Sequence, residues 1–202
     1  MRHDIVEFRV YLSIDIRLKL DCGEKAKTTE AGVPARYTLS AMNIGEVDIP
    51  VAFTAVGPRY WNYSLNLTGA FLRPLESVLV GLDVSPPLDA MGDDTGVVAV
   101  TAMHANWTSY SATIKTTTVV TPYMYSVMTP DRNESSVDPG MTADYLLTVS
   151  NFGNLAGTVI LILEIVSDVQ DWSVSLDTYA VAVQGGGNGF AVLRVIPPAD
   201  AP

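Results

Sequence analysis

The sequence predicts an all-β protein: two tandem immunoglobulin-like β-sandwiches, about seven strands in the first, with a second copy lacking its last two strands. Three observations predict this. One residue pattern occurs twice along the chain, the mark of a repeat architecture. Short runs rich in Val, Ile, Thr, Tyr and Leu are punctuated by Gly, Pro, Asn and Asp at the spacing of sandwich strands. No stretch carries the apolar period of a long helix.

The repeat fixes the organisation. Ala31-Gly32-x-x-Ala35-x-Tyr37-x-Leu39-x-x-x-Asn43-x-Gly45 returns as Pro139-Gly140-x-x-Ala143-x-Tyr145-x-Leu147-x-x-x-Asn151-x-Gly153. Trp61-x-x-Ser64-Leu65 returns as Trp172-x-x-Ser175-Leu176, and Val84-x-Pro86-Pro87-x-Asp89-Ala90 as Val195-x-Pro197-Pro198-x-Asp200-Ala201. The step from Trp61 to Trp172 is longer by three than the step from Gly32 to Gly140, so the second copy holds a net insertion of that size. The copies divide as 1–121 and 122–202, near Thr121-Pro122.

Taken in order, the first copy should place strands near 6–20, 35–42, 48–56, 61–67, 76–84, 96–104 and 109–120. Tyr37, Leu39 and Ala41 alternate with Arg36, Thr38 and Ser40, and residues two apart share a strand face, so the first set faces the core. Tyr145, Leu147 and Val149 repeat that row. Val78, Val80, Leu82 and Val84 form another, answered by Ala191, Leu193 and Val195. Asp138-Pro139-Gly140 suits a type II turn, with glycine supplying the positive φ. Asn43-Ile44-Gly45 and Asn151-Phe152-Gly153 read as turn closures. The Pro-Pro pairs stop the later strands, because proline cannot donate to a ladder. Gly185-Gly186-Gly187-Asn188-Gly189 lacks the Lys-Ser/Thr of a phosphate loop and reads as a turn. Trp61 and Trp172 read as plugs between sheets.

The repeat also measures a shortfall. In the first copy the chain from Pro87 to Val120 is long enough for two strands, whereas the second copy extends only from Pro198 to Pro202. The second copy is therefore expected to be incomplete, leaning on the first or borrowing strands. Unmatched inward side chains would each forgo about 1.5–3 kcal/mol of burial.

Composition narrows the function classes. Of 202 residues 48% are hydrophobic, enough for packed cores, and the formal charge of −10 opposes binding to phosphate backbones, so no nucleic-acid partner is expected. No run reaches the ~18 apolar residues of a membrane helix; the longest, Val159 to Leu163, is strand-sized and ends at Glu164. Met1-Arg2-His3-Asp4 lacks the apolar core of a signal peptide, so a signal or anchor would lie outside this chain. The single cysteine, Cys22, sits in a polar stretch, as an incidental thiol near a strand end or a cross-link to another chain.

Four N-x-[ST] sequons begin at Asn62, Asn66, Asn106 and Asn133, candidates for glycosylation that favour an extracellular or cell-envelope location. Catalytic candidates are sparse. His3 and His104 have no Ser, Cys or metal-ligand constellation around them. No catalytic residue, cofactor or metal site is expected beyond a weak calcium candidate at Asp89, Asp93 and Asp94, which does not fit an EF-hand loop. Tyr60, Tyr63, Trp107 and Tyr110 are candidate glycan-stacking aromatics.

The order Pro-Gly, Tyr-x-Leu-x-Val-x-Asn-x-Gly-Asn, a solitary Trp, then Val-x-Pro-Pro-x-Asp-Ala resembles the NPCBM-associated domain of alpha-galactosidases and its CARDB-like relatives. The second copy carries it best, at Pro139-Gly140, Tyr145 to Asn154, Trp172 and Val195 to Pro202; in the first, Ala31 replaces the proline and Glu46 the second asparagine. The resemblance implies an Ig-like module of archaeal or bacterial surface proteins, accessory or adhesive, with no catalytic residue to carry over. The expected function is a non-enzymatic extracellular tandem that spaces or presents the flanking domains of a larger surface protein. The alternatives are a carbohydrate-binding or glycosidase-associated module, with surface glycans as partners, and a subunit that takes a strand from a neighbouring subunit into an open sheet edge.

Overall fold

The computed structural model describes residues 14–166 and 171–200, which form strands, turns and coil with no helix. His3, Ala201, Pro202 and the first part of the strand expected near 6–20 lie outside the described residues. Two compact units emerge. Of the described residues, one comprises those up to Pro87 together with Thr95–Val119; the other comprises Leu88–Asp94 and those from Val120 onward.

Among the described residues the first unit forms nine strands: β1 (Leu18–Cys22), β2 (Ala26–Thr29), β3 (Ala35–Asn43), β4 (Ile49–Val56), β5 (Asn62–Leu65), β6 (Gly69–Leu72), β7 (Ser77–Ser85), β8 (Thr95–His104) and β9 (Ser111–Val120). They pair as β1-β3-β7-β5 and β2-β9-β8-β4-β6, the two-sheet division of an Ig-like sandwich. The expected inward rows close one core: Tyr37, Leu39, Leu82 and Val84 from one sheet pack with Ile49, Phe53, Val98, Val100 and Ile114 from the other. Tyr37 ties the sheets together, its hydroxyl donating to the Thr117 carbonyl at 2.8 Å and lying 2.8 Å from Thr118 Oγ1. Nine strands appear rather than seven because β2, Ala-Lys-Thr-Thr, has no apolar alternation to announce it, and β6 opens on a glycine.

Asn43 and Gly45 make a corner rather than a simple turn. The Asn43 amide is fully buried; its nitrogen donates to Val47 O at 2.8 Å and Leu72 O at 3.1 Å, and its oxygen accepts from Gly45 N at 2.9 Å. Gly45 is required by close approach, since a Cβ there would collide with the Asp15 carbonyl. Sequence alone points to turn geometry, but the cause is a side-chain amide satisfying buried backbone groups.

The second unit contains β10 (Ser126–Pro130), β11 (Ala143–Asn151), β12 (Gly157–Ile160), β13 (Ser173–Leu176), β14 (Ala180–Val183) and β15 (Asn188–Ile196), paired as β10-β11-β15-β13 and β12-β14. The duplication persists in detail. β10, β11 and β12 follow β1, β3 and β4 by the step that separates Gly32 from Gly140; β13, β14 and β15 follow β5, β6 and β7 by the longer step that separates the two tryptophans. The corner recurs: Asn151 donates to Leu155 O at 2.8 Å and Gln184 O at 3.2 Å and accepts from Gly153 N at 2.9 Å. Asn66 Oδ1 accepts from Gly81 N, and at the matching place Asp177 Oδ1 accepts from Val192 N, both at 2.7 Å. One cross-strand ion pair is inverted, Arg36–Asp83 at 3.7 Å becoming Asp144–Arg194 at 3.5 Å.

The turns agree as well. Met141 N bonds Asp138 O at 3.0 Å with Gly140 at φ 76°, matching Val33 N to Glu30 O with Gly32 at φ 76°. The glycine run forms the expected turn, closed by Gly187 N to Gln184 O at 3.0 Å with Gly186 at φ 67°. Its counterpart in the first unit puts a leucine, Leu75, at φ 63°.

Candidate functional site

Among the described residues the second unit has no counterpart of β2, β8 or β9, and a groove runs along its sheets. In the first unit Val51–Val56 of β4 pairs with β8, Val51 opposite His104 and Val56 opposite Ala99. The matching residues, Val159–Glu164, have no strand on that side among the described residues. Among the described residues β12 stops at Ile160 and pairs with β14, whereas the apolar run from Val159 to Leu163 promises a longer strand. Among the described residues this leaves one backbone edge of Val159–Glu164 without a neighbouring strand, beside the half-buried Val159 and Leu163.

Burial differs between the two units. Leu82 and Val84 are fully buried, but Leu193 and Val195 are half-buried. Tyr37 is buried; Tyr145 is half-buried and lies beneath the Arg132 guanidinium, 5.6 Å from its ring centroid. Trp61 packs on the first core over Gly96 of β8, where a Cβ would stand 2.5 to 2.7 Å from the indole. Trp172 has no such lid and is 40% exposed, so it is a groove wall rather than the plug the sequence suggests. A cavity of about 650 Å³ is lined by Tyr145, Leu147, Leu163, Trp172, Leu193 and Val195. A second hollow of about 360 Å³ continues it past Val149, Val159, Leu161 and Leu176. Arg132 and Glu164 supply charge at the rim.

The outer face of the same segment is also apolar. Ile160 and Ile162 stand where the first unit has Ala52 and Thr54, and Ile162 is 89% exposed. A strand apolar on both faces belongs inside a layered structure. This signal is readable in the sequence as the uninterrupted Val159–Leu163 run, yet only comparison with Val51–Ala55 shows it to be two-sided.

The other candidate residues are placed as follows. Trp107 and Tyr110 come together at the β8–β9 turn beside Ile14 and Ile16, around a hollow of about 490 Å³. Tyr63 turns inward against the first core, and Tyr60 projects from the turn before β5 with Arg59 5.7 Å from its ring centroid. His104 is buried. Its Nδ1 accepts from the backbone N–H groups of Asn106 and Trp107 at 3.1 and 3.2 Å, and its ring stacks on Trp107 with centroids 4.7 Å apart. Asn62, Asn66, Asn106 and Asn133 are all exposed. Asp94 spends a carboxylate oxygen on Met91 N at 2.9 Å, and Asp93 donates its amide to Val120 O from φ 69°. With Asp89 they belong to a segment grouped with the second unit. Among the described residues no three His, Cys, Asp or Glu side chains gather as a metal site. Cys22 is buried, its thiol 3.0 Å from Glu24 O; the polar sequence around it conceals that it ends β1 facing the core, which leaves it poorly placed for a cross-link. Among the described residues no helix is long and apolar enough to cross a membrane.

These sheets define the class: an all-β protein of Ig-like β-sandwich repeats. No family model matches the chain. No curated protein matches it either. Among solved structures it is similar to a PapD-like domain of human CEP192, at 14% identity and a TM-score of 0.38, covering 60% of this chain and 95% of that one. It is similar also to a protein of unknown function from Porphyromonas gingivalis W83, at 14% identity and TM-score 0.38, covering 88% and 83%. A third is the secreted serine protease VesC from Vibrio cholerae, at 12% identity and TM-score 0.38, covering 91% of this chain and 47% of that one.

Proposed function

We propose that the protein is a non-enzymatic Ig-like tandem acting as a spacer or presentation module of a larger cell-surface protein. The observation that carries this reading is what the duplication keeps. The buried corner amides, the cross-strand ion pair in inverted form and the positive-φ turns recur in both units. All of these are scaffold. The exposed sequons at Asn62, Asn66, Asn106 and Asn133 support an extracellular setting. A glycan array probed with the whole chain tests the choice between spacer and carbohydrate-binding module. A spacer binds nothing; saturable binding that Trp107→Ala abolishes would favour the CARDB-like or alpha-galactosidase-associated reading.

A second reading draws on the groove: the second unit accepts a β-strand from a partner. An extended segment laid along Val159–Glu164 would satisfy the backbone edge and cover the side chains lining the cavity. Light scattering at rising concentration is the test, with growth of assemblies expected and a constant monomer mass contradicting it.

A further inference from the structure

We propose that Asn106, at the β8–β9 turn, is the residue of this chain built to carry an N-linked glycan, whose first sugar ring packs on Trp107 and Tyr110. The inference rests on the extracellular setting of the spacer reading and names its modification site.

The structure separates the four sequons. Asn66 is committed to the scaffold, its Oδ1 accepting from Gly81 N at 2.7 Å. Asp177, at the matching place in the second unit, keeps that acceptor toward Val192 N and has no amide nitrogen to modify. Asn62, Tyr63 and Ser64 lie in the ladder with β7, opposite Ser85, Val84 and Asp83. A segment entering a transferase must leave the protein surface, which a turn tip does more readily than a laddered strand. Asn133-Glu134-Ser135 sets a carboxylate between the asparagine and the hydroxyl, opposing the approach of a phosphate-bearing donor.

Asn106-Trp107-Thr108 meets none of these obstacles. It lies in the connection 105–110 between β8 and β9, every residue of which is exposed. The backbone there is fixed. The N–H groups of Asn106 and Trp107 donate to Nδ1 of the buried His104, and Tyr110 N–H donates to Trp107 O at 3.0 Å. Among the described residues neither the Asn106 carboxamide nor the Thr108 hydroxyl makes a hydrogen bond, so both groups that a transferase engages stay available.

The modification is a substitution at an anomeric carbon. The Asn106 amide nitrogen bonds to C1 of a lipid-phosphate-linked oligosaccharide and the C1–O bond to phosphate breaks. The lipid phosphate leaves, and one amide proton passes to a base of the transferase. The sugar then sits beside rings already in place. Asn106, Trp107 and Tyr110 line one hollow of about 490 Å³ with Ile14 and Ile16, within the roughly 300–1,000 Å³ of small-ligand sites. The indole is held by its stack on His104 yet is 51% exposed, and Tyr110 is 42% exposed. Such rings offer an apolar face to the C–H side of a pyranose at low conformational-entropy cost.

The test uses the whole chain, made in a host without N-glycosylation and given an oligosaccharide transferase with its lipid-linked donor. Peptide mass mapping should show Asn106 filling about tenfold faster than any other sequon, and Thr108→Ala should abolish that filling. Amide exchange across 105–110 should slow about threefold in the glycoform; Trp107→Ala should remove the slowing without emptying Asn106. Asn66→Gln should lower the urea midpoint of the first unit, whereas Asn66→Asp and Asn106→Gln should not. Another sequon filling as fast as Asn106, or Asn106 left empty, overturns the proposal. The chain isolated from its own organism separates the proposal from the reading beneath it. A glycan at Asn106 supports both. Glycans at other sequons alone overturn the proposal and keep the extracellular setting. An unmodified chain whose Asn106 still fills in vitro overturns the setting, and the proposal with it.

Discussion

Replacing Asn43 by alanine should cost the first unit about 3–5 kcal/mol, since each buried backbone group left without its partner costs about 1–3 kcal/mol. The amide makes three bonds, to Val47 O, Leu72 O and Gly45 N, and the side chain is fully buried, so water does not readily replace them. Against a domain stability of about 5–15 kcal/mol, that is a large share. The readout is urea unfolding followed by amide exchange and mass spectrometry, with peptides from Ala35–Val56 reporting the first unit. Asn151→Ala should act alike on peptides from Ala143–Ile160, because its three bonds are the same in kind. Asn43→Asp should not rescue, since a carboxylate keeps the acceptor but sets charge against two carbonyls. A loss below about 1 kcal/mol for Asn43→Ala would refute the corner as a principal tie.

Three further outcomes are expected. Gly96→Ala should destabilise the first unit by about 1–3 kcal/mol by forcing a methyl into the Trp61 ring, seen as a lower midpoint and a red-shifted indole emission. Arg36→Asp alone should cost no more than about 1 kcal/mol, because both partners of the Arg36–Asp83 pair are exposed; adding Asp83→Arg should restore the parent midpoint by recreating the Asp144–Arg194 arrangement. Burial raises the Tyr37 phenol above its usual value, partly offset by the Thr118 bond and the Lys27 charge. The folded state therefore keeps its proton longer than the unfolded chain, and the stability from Tyr37 is full below pH ~10 and lost as pH climbs above it. Tyr37→Phe should flatten that alkaline decline.

Much of this architecture is legible in the sequence because its signals are local or repeated. The alternation of Tyr37, Leu39 and Ala41 marks a strand with one core face, and Asp138-Pro139-Gly140 marks its turn without reference to anything distant. The repeat offset carries such assignments from one copy to the other. What the sequence hides depends on partners far along the chain. Cys22 sits among charged residues yet closes a strand against the core. Trp61 and Trp172 look equivalent, but one has Gly96 above it and the other stands open. The groove follows the same logic. Three of its wall residues, Tyr145, Leu193 and Val195, are half-buried where their counterparts Tyr37, Leu82 and Val84 are buried, a difference that the repeated pattern itself does not announce.

The central claim is that, among the described residues, Val159–Glu164 has no strand on the side where Val51–Val56 pairs with β8. Amide exchange of the whole chain, read at high dilution so that copies stay apart, tests it directly. Amides of Val51–Val56 should exchange only with unfolding of the first unit, while those of Leu163 and Glu164 should exchange at least a hundredfold faster. Equal protection of the two segments would contradict the account, because it would mean that a strand already covers the edge.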